Sequence, residues 1–502
     1  MENRKPDDNT SSLSRRCFFD RVGHGLLGGA LVQLLGRDLY GDETPTHGVE
    51  LGGDRGGELA GGGARHDLRP RRPHFEPGAR SVIQLFMNGG PSQMDLFDPK
   101  EALEKHHGQA HFERIAGEVE NPQAAGSLMR GMFKFARHGA SGLWMSDALP
   151  HLSKCADQLT VLRGMYTTNL THEPALFKIH SGQELMGHPA LGAWVTYGLG
   201  SENQDLPAYV VLDDPRGLPI NKSQSWHSGY LPPLFQGTRF RSTGSPVLNL
   251  KRDFEEPDEI TRLERDLIGR LDRIHQAARP RQPQLESRIA SYELAARMQL
   301  AATDALDVSR ETAETLAEYG IGKEPTDSYG RRCLYARRLV ERGVRFVQLF
   351  IDAQIWDNHT NLLGGLKSAC ERTDQPIAAL LNDLRRRGLL DTTLVLWGGE
   401  FGRLPIAQLP DDKDEKKAGR DHNKNAMVCW MAGGGVKAGF SYGETDEFGF
   451  AAVADRVGVP DWHATILHLL GLHHEELFFL RNGLKNRLTG VQPARVVTEI
   501  LA

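Results

Sequence analysis

Short apolar runs alternate with amphipathic stretches from about residue 80 to the end of the chain. The runs are rich in Val, Ile, Leu and Phe and lead into polar or glycine-containing segments, which is typical of buried strands. They predict strands at 81–87, 159–163, 208–212, 344–350, 393–397 and 427–431. Apolar residues recurring every three or four positions predict helices at 147–157, 172–181, 328–342, 362–387 and 462–470. The alternation predicts an α/β fold, with a mainly parallel sheet sandwiched by helices.

One region interrupts this alternation. Residues 257–320 are highly charged and show no strand pattern. Their apolar spacing fits two helices, which break at Pro280 and Pro283 because proline disrupts a continuing helix. We interpret the region as a helical hairpin inserted into the α/β domain. A coiled coil that joins two copies of the chain is the alternative interpretation.

The amino-terminal 40 residues have a pattern of their own. Arg15 and Arg16 are followed by a weakly apolar, glycine-containing stretch at 23–35, which resembles a twin-arginine export signal. This pattern predicts that the twin-arginine machinery exports the protein to the periplasm or the extracellular space. An ordinary amphipathic helix with two solvated arginines is the alternative.

A glycine-rich and proline-rich segment follows at 41–79. It contains eight glycines between 48 and 64. Such a segment has too little apolar surface to bury, so folding cannot offset the entropy lost when its backbone is ordered. We therefore predict a flexible linker, followed by the α/β domain over 80–502.

The composition argues against three classes: nonspecific nucleic-acid binders, proteins with a membrane-spanning helix and proteins with a cysteine zinc site. The 502-residue chain has 60 basic and 65 acidic side chains and a formal net charge of −5, so we expect no nonspecific binding to nucleic acid. No apolar run reaches the roughly 18 residues that a membrane-spanning helix requires. The five cysteines form no C-x-x-C pair, which argues against a cysteine zinc site. By contrast, 20 histidines and 55 glycines predict many imidazole ligands and many turns.

Polar residues gather where the predicted strands end. Parallel sheets bind their ligands at the carboxyl ends of the strands, so such residues are candidates for one shared site. Asp95 follows the first strand and offers an oxygen to a cation, or else caps a helix. Thr171 and His172 open a predicted helix, where backbone N–H groups attract anions.

The later strands contribute more candidates of the same kind. They are Asp357, His359, Glu400, Arg403, His422 and His463. Mixed carboxylate and imidazole ligands suit zinc, manganese or iron better than a metal that prefers thiolates. Each residue alone fits a structural role, but their recurrence at the strand ends predicts one metal site.

The chain also resembles a known family, through six motifs. They are GGPSQMDLFDPK (89–100), CLYARRLVERGVRFVQLF (333–350), WDNHTN (356–361), GLLDTTLVLWGGEFGRLP (388–405), GRDHNKNAMVCWMAGGGVKAGFSYGETDEFG (419–449) and DWHATILHLLGL (461–472). With these motifs in this order, the chain resembles the bacterial family called domain of unknown function 1501. That family is abundant in planctomycetes and is placed in the alkaline phosphatase/sulfatase superfamily. The resemblance covers nearly all of residues 80–500.

The resemblance implies an alkaline phosphatase-like α/β core that holds one or two divalent cations beside a nucleophile. Such a site hydrolyses phosphate or sulfate esters, because the metals neutralise the oxyanion and activate the attacking group. Asn88 stands where an aspartate ligand is usual at the end of the first strand. Glu400-Phe401-Gly402 is similar to the usual Asp-His-Gly, so one histidine ligand is missing.

A second departure concerns the nucleophile. Residues 172–182 are similar in spacing to the sulfatase signature, with His172 in place of the cysteine that becomes formylglycine and Leu176 in place of the arginine. A formylglycine mechanism is therefore excluded. Thr171, His172 or a metal-activated water remain as attacking groups.

We therefore expect an exported metal-dependent hydrolase of phosphate or sulfate esters, whose substrate is a small molecule or a polysaccharide. The expected ligands of a zinc, manganese, magnesium or calcium ion are Asp95, Asp357, His359, Glu400, His422 and His463. Thr171 or His172 is the expected nucleophile, and Arg403 is expected to hold the anion. The alternative is a catalytically inactive periplasmic protein that binds sulfated or phosphorylated polysaccharide.

Overall fold

The structure is a computed structural model that describes residues 67–241, 257–279 and 282–502. Its contacts divide the chain into two units. One contains described residues 257–279 with the helix Asp258–Ala277, and the other contains described residues 67–241 and 282–502, including the whole central sheet. The twin-arginine pattern and most of the glycine-rich segment lie outside the described residues.

In the described part of the chain, nine strands form the central sheet. They are β1 (Ser81–Phe86), β2 (Leu159–Tyr166), β3 (Tyr209–Leu212), β4 (Thr238–Phe240), β5 (Phe346–Phe350), β6 (Thr393–Gly398), β7 (Met427–Ala432), β8 (Phe440–Tyr442) and β9 (Val457–Gly458). The order across the sheet is β8-β2-β7-β6-β1-β5-β3-β4, and β9 also pairs with β2. Of these strands, β7 alone runs antiparallel to its neighbours. The predicted mainly parallel sheet is therefore confirmed.

The strand β1 lies at the centre of this sheet. Val82 pairs with Phe346 of β5 on one side and with Leu394 of β6 on the other, both in parallel register. All six residues of β1 are buried. A parallel strand covered on both faces needs apolar side chains throughout, which explains why its sequence reads as a nearly continuous apolar run.

The described residues form seven helices of nine or more residues. They are α1 (His172–Ser181), α2 (Leu191–Leu199), α3 (Asp258–Ala277), α4 (Pro283–Leu306), α5 (Asp327–Glu341), α6 (Leu362–Arg386) and α7 (Val459–Leu469). Shorter helices occupy Gln93–Leu96, Glu101–Lys105, Phe112–Ile115 and Ala313–Glu318. Single 3-10 turns occur at Ala116–Glu118, Pro122–Ala124, Lys222–Trp226, Pro233–Phe235, Leu390–Thr392, Glu415–Lys417 and Thr498–Ile500.

The described loops also contain five two-stranded sheets. They pair Ala125–Leu128 with Ile406–Gln408, Phe135–His138 with Leu143–Ser146, Gly402–Arg403 with His422–Asn423, Glu444–Thr445 with Ala452–Ala454, and Phe479–Arg481 with Leu484–Asn486. The ladder between Gly402–Arg403 and His422–Asn423 matters for the site, because it joins the loop after β6 to the loop before β7.

The sequence located most of these elements to within a few residues. The predicted helix at 147–157 is wrong, because only Leu152–Gln158 is helical and it is a 3-10 helix. Pro150 disfavours the helical conformation of the residue before it, so 147–151 form a turn. The helix α2 was missed because all nine of its residues are buried, which leaves no polar face to give a helical period.

The folded region begins earlier than predicted. The N–H of Arg71 donates to the carbonyl of Leu199 at 2.8 Å, and the Phe75 ring lies 4.8 Å from the rings of His468 and His473. Residues 69–77 therefore pack on the domain instead of belonging to a flexible linker. Within the three described ranges, no helix is both long and apolar enough to cross a membrane.

Candidate metal centre

One edge of the sheet collects the polar residues that follow its strands. His172 begins α1 after β2, Asp357 and His359 lie in the loop after β5, and Glu400 follows β6. Since β7 runs antiparallel, His422, which precedes it, lies at this same edge. The sheet thus brings five of the predicted residues together.

Three imidazoles converge on one carboxylate. The Nε2 atom of His172 lies 3.2 Å from Oδ2 of Asp357, while Nε2 of His359 and Nε2 of His422 lie 2.9 and 3.2 Å from Oδ1. Ligand atoms of these four residues all lie within 4.8 Å of one another. That spacing suits one cation with bonds of about 2.0–2.2 Å to nitrogen and oxygen.

The other nitrogen of each imidazole faces an oxygen. Nδ1 of His172 lies 2.7 Å from Oε1 of Glu400, and Nδ1 of His359 lies 2.5 Å from Oε1 of Gln408. Nδ1 of His422 lies 2.5 Å from Oε2 of Glu120. Such oxygens favour the tautomer with the proton on Nδ1, which leaves a lone pair on each Nε2 directed at the centre.

The geometry fits a divalent cation. Within the described ranges, the buried Nε2 atom of His172 has no hydrogen-bond partner, although it lies beside a carboxylate. Nitrogen lone pairs repel carboxylate oxygens, so the cluster needs either extra protons on the imidazoles or a cation between them and Asp357. Three imidazoles and one carboxylate form a ligand set suited to zinc, manganese or iron(II).

Charges within the cluster shift its pKa values strongly. Burial lowers the pKa of His172, but the facing carboxylates of Asp357 and Glu400 outweigh burial and raise it to about 9. Burial likewise lowers the pKa of His359, but Asp357 and Gln408 together raise it above its ordinary value. Burial alone would raise the pKa of Asp357, but the three histidines hold it well below its ordinary value. A metal ion therefore has to displace protons from this centre.

Glu400 is fully buried and lies behind the His172 ring, on the side away from Asp357. Its two carboxylate oxygens accept the N–H of Gly89 at 3.0 and 3.2 Å, and Oε1 also faces His172. Gly89 has a φ of +108°, and a Cβ atom there would lie 2.5 Å from the backbone nitrogen of Asp357. Only glycine lets the loop after β1 pass this close to the loop that carries Asp357. Glu400, predicted as a metal ligand, acts instead on the far side of His172.

Arg403 has a different place from the one predicted. Its side chain is buried, and its guanidinium donates to the carbonyls of Gly90 at 2.9 Å and of Arg420 at 3.0 Å. Nη2 also donates to Oδ1 of Asp357 at 2.7 Å and contacts the carbonyl of Gly89. These acceptors occupy the guanidinium, so Arg403 orients Asp357 and is not free to hold a substrate anion.

Two predicted ligands lie outside the centre. Asp95 is buried, where it accepts from Nε of Arg420 at 2.8 Å and from the hydroxyl of Ser92 at 2.5 Å. The side chain of His463 is buried in α7, and its Nε2 lies 2.9 Å from the carbonyl of Ile179. Burial lowers the pKa of His463 to about 4, which keeps it neutral. Both residues therefore form buried contacts within the fold and do not face the metal centre.

Thr171 and Glu120 form the rim of the centre. The Thr171 hydroxyl is exposed and lies 3.4 Å from Oε1 of Glu120, whose other oxygen faces His422. The hydrogen bond from His422 holds the pKa of Glu120 below its ordinary value. Glu120 and Gln408 were not predicted from the sequence, because both lie in segments without a recognisable motif. An acidic or amide residue becomes informative there only once it is seen beside a histidine.

The family described as "Protein of unknown function (DUF1501)" matches residues 79–501. No curated protein sequence matches the chain. Among solved structures, a lipoteichoic acid synthase from Listeria monocytogenes is 10% identical, with 83% of this chain and 75% of that chain covered and a TM-score of 0.33. A phosphonate monoester hydrolase from Silicibacter pomeroyi is 12% identical, with 83% and 78% covered and a TM-score of 0.33. An alkaline phosphatase from the Antarctic bacterium TAB5 is 12% identical, with 78% and 98% covered and a TM-score of 0.29.

Proposed function

The chain belongs to the DUF1501 family, and from that premise we propose that it is an exported metal-dependent hydrolase of phosphate or sulfate esters. One observation carries the proposal: Nε2 atoms of three histidines lie within 3.2 Å of the same carboxylate, Asp357. The oxygens behind each ring support it, because metal-binding histidines are usually held in this way.

His172, Asp357, His359 and His422 would hold the ion. A bound divalent cation would act as a Lewis acid on the ester oxyanion and would make an attacking O–H group more acidic. The chain itself fixes the ligands: Glu400 orients His172, and Arg403 orients Asp357. The Phe401 ring, 4.3 Å from His422 and 4.9 Å from His172, covers these two rings with an apolar surface.

Thr171 is the attacking group in this proposal. Both nitrogens of His172 face carboxylates, so this residue serves better as a ligand than as a nucleophile. The Thr171 hydroxyl lies at the rim, 3.4 Å from Glu120, and an ionised Glu120 can accept its proton. A hydroxyl beside a carboxylate is a recurring arrangement for nucleophilic catalysis.

Metal content and turnover test the proposal together. Full-length protein would be loaded with zinc or manganese, analysed for bound metal, and assayed with p-nitrophenyl phosphate, p-nitrophenyl sulfate and a phosphonate monoester. We expect about one ion per chain and turnover of at least one ester, both lost in Asp357→Ala. Asp352→Ala is the matched control, since Asp352 lies in the same loop and pairs with Arg372.

Two results would count against this function. Protein that binds no metal would overturn the site. Protein that binds metal but hydrolyses none of the esters, while retaining sulfated or phosphorylated polysaccharide, would favour the binding-protein alternative. Export is tested separately, by replacing Arg15 and Arg16 with lysine and locating the protein in cell fractions. Arg37→Lys is the control, and unchanged export of the double variant would contradict the twin-arginine route.

A further inference from the structure

A second pocket lies at the same edge of the sheet as the metal centre. The strands β2 and β9 run parallel, with Gly458 opposite Tyr166, and both end at this pocket. The helix α7 begins directly after β9, so its amino-terminal end lines the pocket. Its volume is about 80 Å³, well below the roughly 300–1,000 Å³ of sites for drug-sized ligands, so it suits a small group such as a single oxyanion. We call it the Lys178 pocket; its polar lining includes Thr167, Thr168, Lys178 and Asp461.

Lys178 is buried in this pocket, and its ammonium bonds to a backbone carbonyl. The residue is 8% exposed, and its ammonium donates to the carbonyl of Gly182 at 3.1 Å. Among the described residues, no carboxylate forms an ion pair with it. A buried cation without a paired anion is costly, and an anionic ligand would remove that cost. Burial lowers the pKa of Lys178, and the attraction of Glu184 opposes this shift.

A free hydroxyl lies in the same lining. Thr167 is 5% exposed, and no group in the described part of the chain forms a hydrogen bond with its buried Oγ1 atom. The hydroxyl of Thr168, by contrast, bonds to Oε1 of Glu184 at 2.5 Å. Buried hydroxyls almost always have a partner, so the Thr167 hydroxyl is a donor that a small ligand in the pocket can use.

The two carboxylates in and beside the pocket, Asp461 and Glu184, accept hydrogen bonds from other groups. Oδ2 of Asp461 accepts the N–H of Gly458 at 3.0 Å, and Oδ1 accepts the N–H of Arg495 at 2.8 Å. Glu184 bonds to Thr168 and to Asn169. Neither residue is an acceptor for Thr167 or an ion-pair partner for Lys178, so the hydroxyl and the ammonium are both available to a ligand oxygen.

We propose that the Lys178 pocket is a second oxyanion-binding site, which takes a sulfate or phosphate group. Lys178 balances the charge, the Thr167 hydroxyl donates a hydrogen bond, and the amino-terminal end of α7 adds its favourable dipole. The pocket shares no residue with the four ligands of the metal centre. The inference therefore stands or falls independently of ester hydrolysis.

Calorimetric titration of the full-length protein with inorganic sulfate tests the proposal. Lys178→Met removes the ammonium and keeps the apolar stem, and it should weaken one sulfate site by at least about tenfold, the usual effect of losing a charged hydrogen bond. Asp357→Asn disables the metal centre and should leave that site intact. Lys367→Met, at an exposed lysine of α6, is the matched control and should change nothing.

Thr167→Val provides an independent variant of nearly the same shape. It should weaken the same site by several-fold, and it decides the question if Lys178→Met does not fold. Three results would overturn the proposal: no sulfate binding by the wild type, unchanged affinity in these pocket variants, or complete loss of sulfate binding in Asp357→Asn. In each case Lys178 would serve only to bind the carbonyl at the end of α1.

Discussion

His172 and Glu400 lie 228 residues apart in the chain, yet Nδ1 of the histidine is 2.7 Å from Oε1 of the glutamate. Glu400 is fully buried and also accepts the N–H of Gly89. This contact turns the other nitrogen of His172 toward Asp357. The orientation of a candidate metal ligand is thereby fixed by Glu400, whose carboxylate lies behind the ring, on the side away from Asp357.

The first prediction concerns this contact. Glu400→Gln keeps the size of the side chain but removes its charge, so His172 should be held less firmly and metal affinity should fall about 10- to 100-fold. Competition with a chelator of known affinity measures the change. Glu444→Gln, at an exposed glutamate, is the control. Equal affinities of wild type and Glu400→Gln would contradict the positioning role.

The second prediction concerns pH. In metal-free protein the pKa of His172 is raised from 6.5 to about 9 by its carboxylate neighbours. Protonated His172 therefore stabilises the fold fully below pH 6.5, and this contribution is lost as pH rises through about 9. Denaturant unfolding between these pH values, with a chelator present, should show a steeper loss of stability for the wild type than for His172→Gln. Parallel curves would rule out the raised pKa.

Metal binding should show the opposite dependence on pH. The imidazoles must lose protons to bind a cation, so affinity should increase between pH 6 and 9, by about tenfold per pH unit for each proton displaced. Calorimetry in buffers of different ionisation enthalpy measures the number of protons released. Release of no protons at pH 7 would show that the histidines are already neutral.

The fourth prediction separates orientation from anion binding at Arg403. Arg403→Met would leave the carbonyls of Gly90 and Arg420 without their donor and Asp357 without its ion pair. Because the pair is largely buried, the loss of stability should be about 3–5 kcal/mol, with weaker metal binding. Denaturant unfolding and metal titration measure both. A variant that keeps its stability and its metal but shows a higher KM would assign the anion-binding role instead.

The fifth prediction tests Thr171 as the attacking group. Thr171→Val should reduce kcat by at least about a hundredfold while metal content stays unchanged, because the Thr171 hydroxyl bonds to Glu120, which is not one of the four ligands. Thr171→Ser retains a hydroxyl and should keep much of the activity. If Thr171→Val turns over ester at the rate of the wild type, water is the attacking group.

The sequence determined the elements of this fold well. The helix predicted at 172–181 is observed with the same bounds, and β1 was expected at 81–87 and is found at Ser81–Phe86. These predictions succeed because apolar periodicity depends on neighbours within a few residues, which the sequence displays directly. The error at 147–157 arose where Pro150 overrides an otherwise helical pattern.

The candidate site was determined only in part. Asp357, His359 and His422 were expected together, and the structure brings them together with His172. Asp95 and Arg403 were expected to bind metal and anion, but each is held in a buried ion pair. The identity of an acidic or basic residue does not reveal whether its side chain contacts a ligand or pairs with another buried residue.

Tertiary structure decided the rest through strand direction and side-chain orientation. His422 joins the site because β7 runs antiparallel, and Glu120 joins because its loop lies against His422. Periodicity along the chain tells which residues are buried and in which kind of element. It cannot tell which nitrogen of a histidine faces which oxygen, because that depends on contacts between segments hundreds of residues apart.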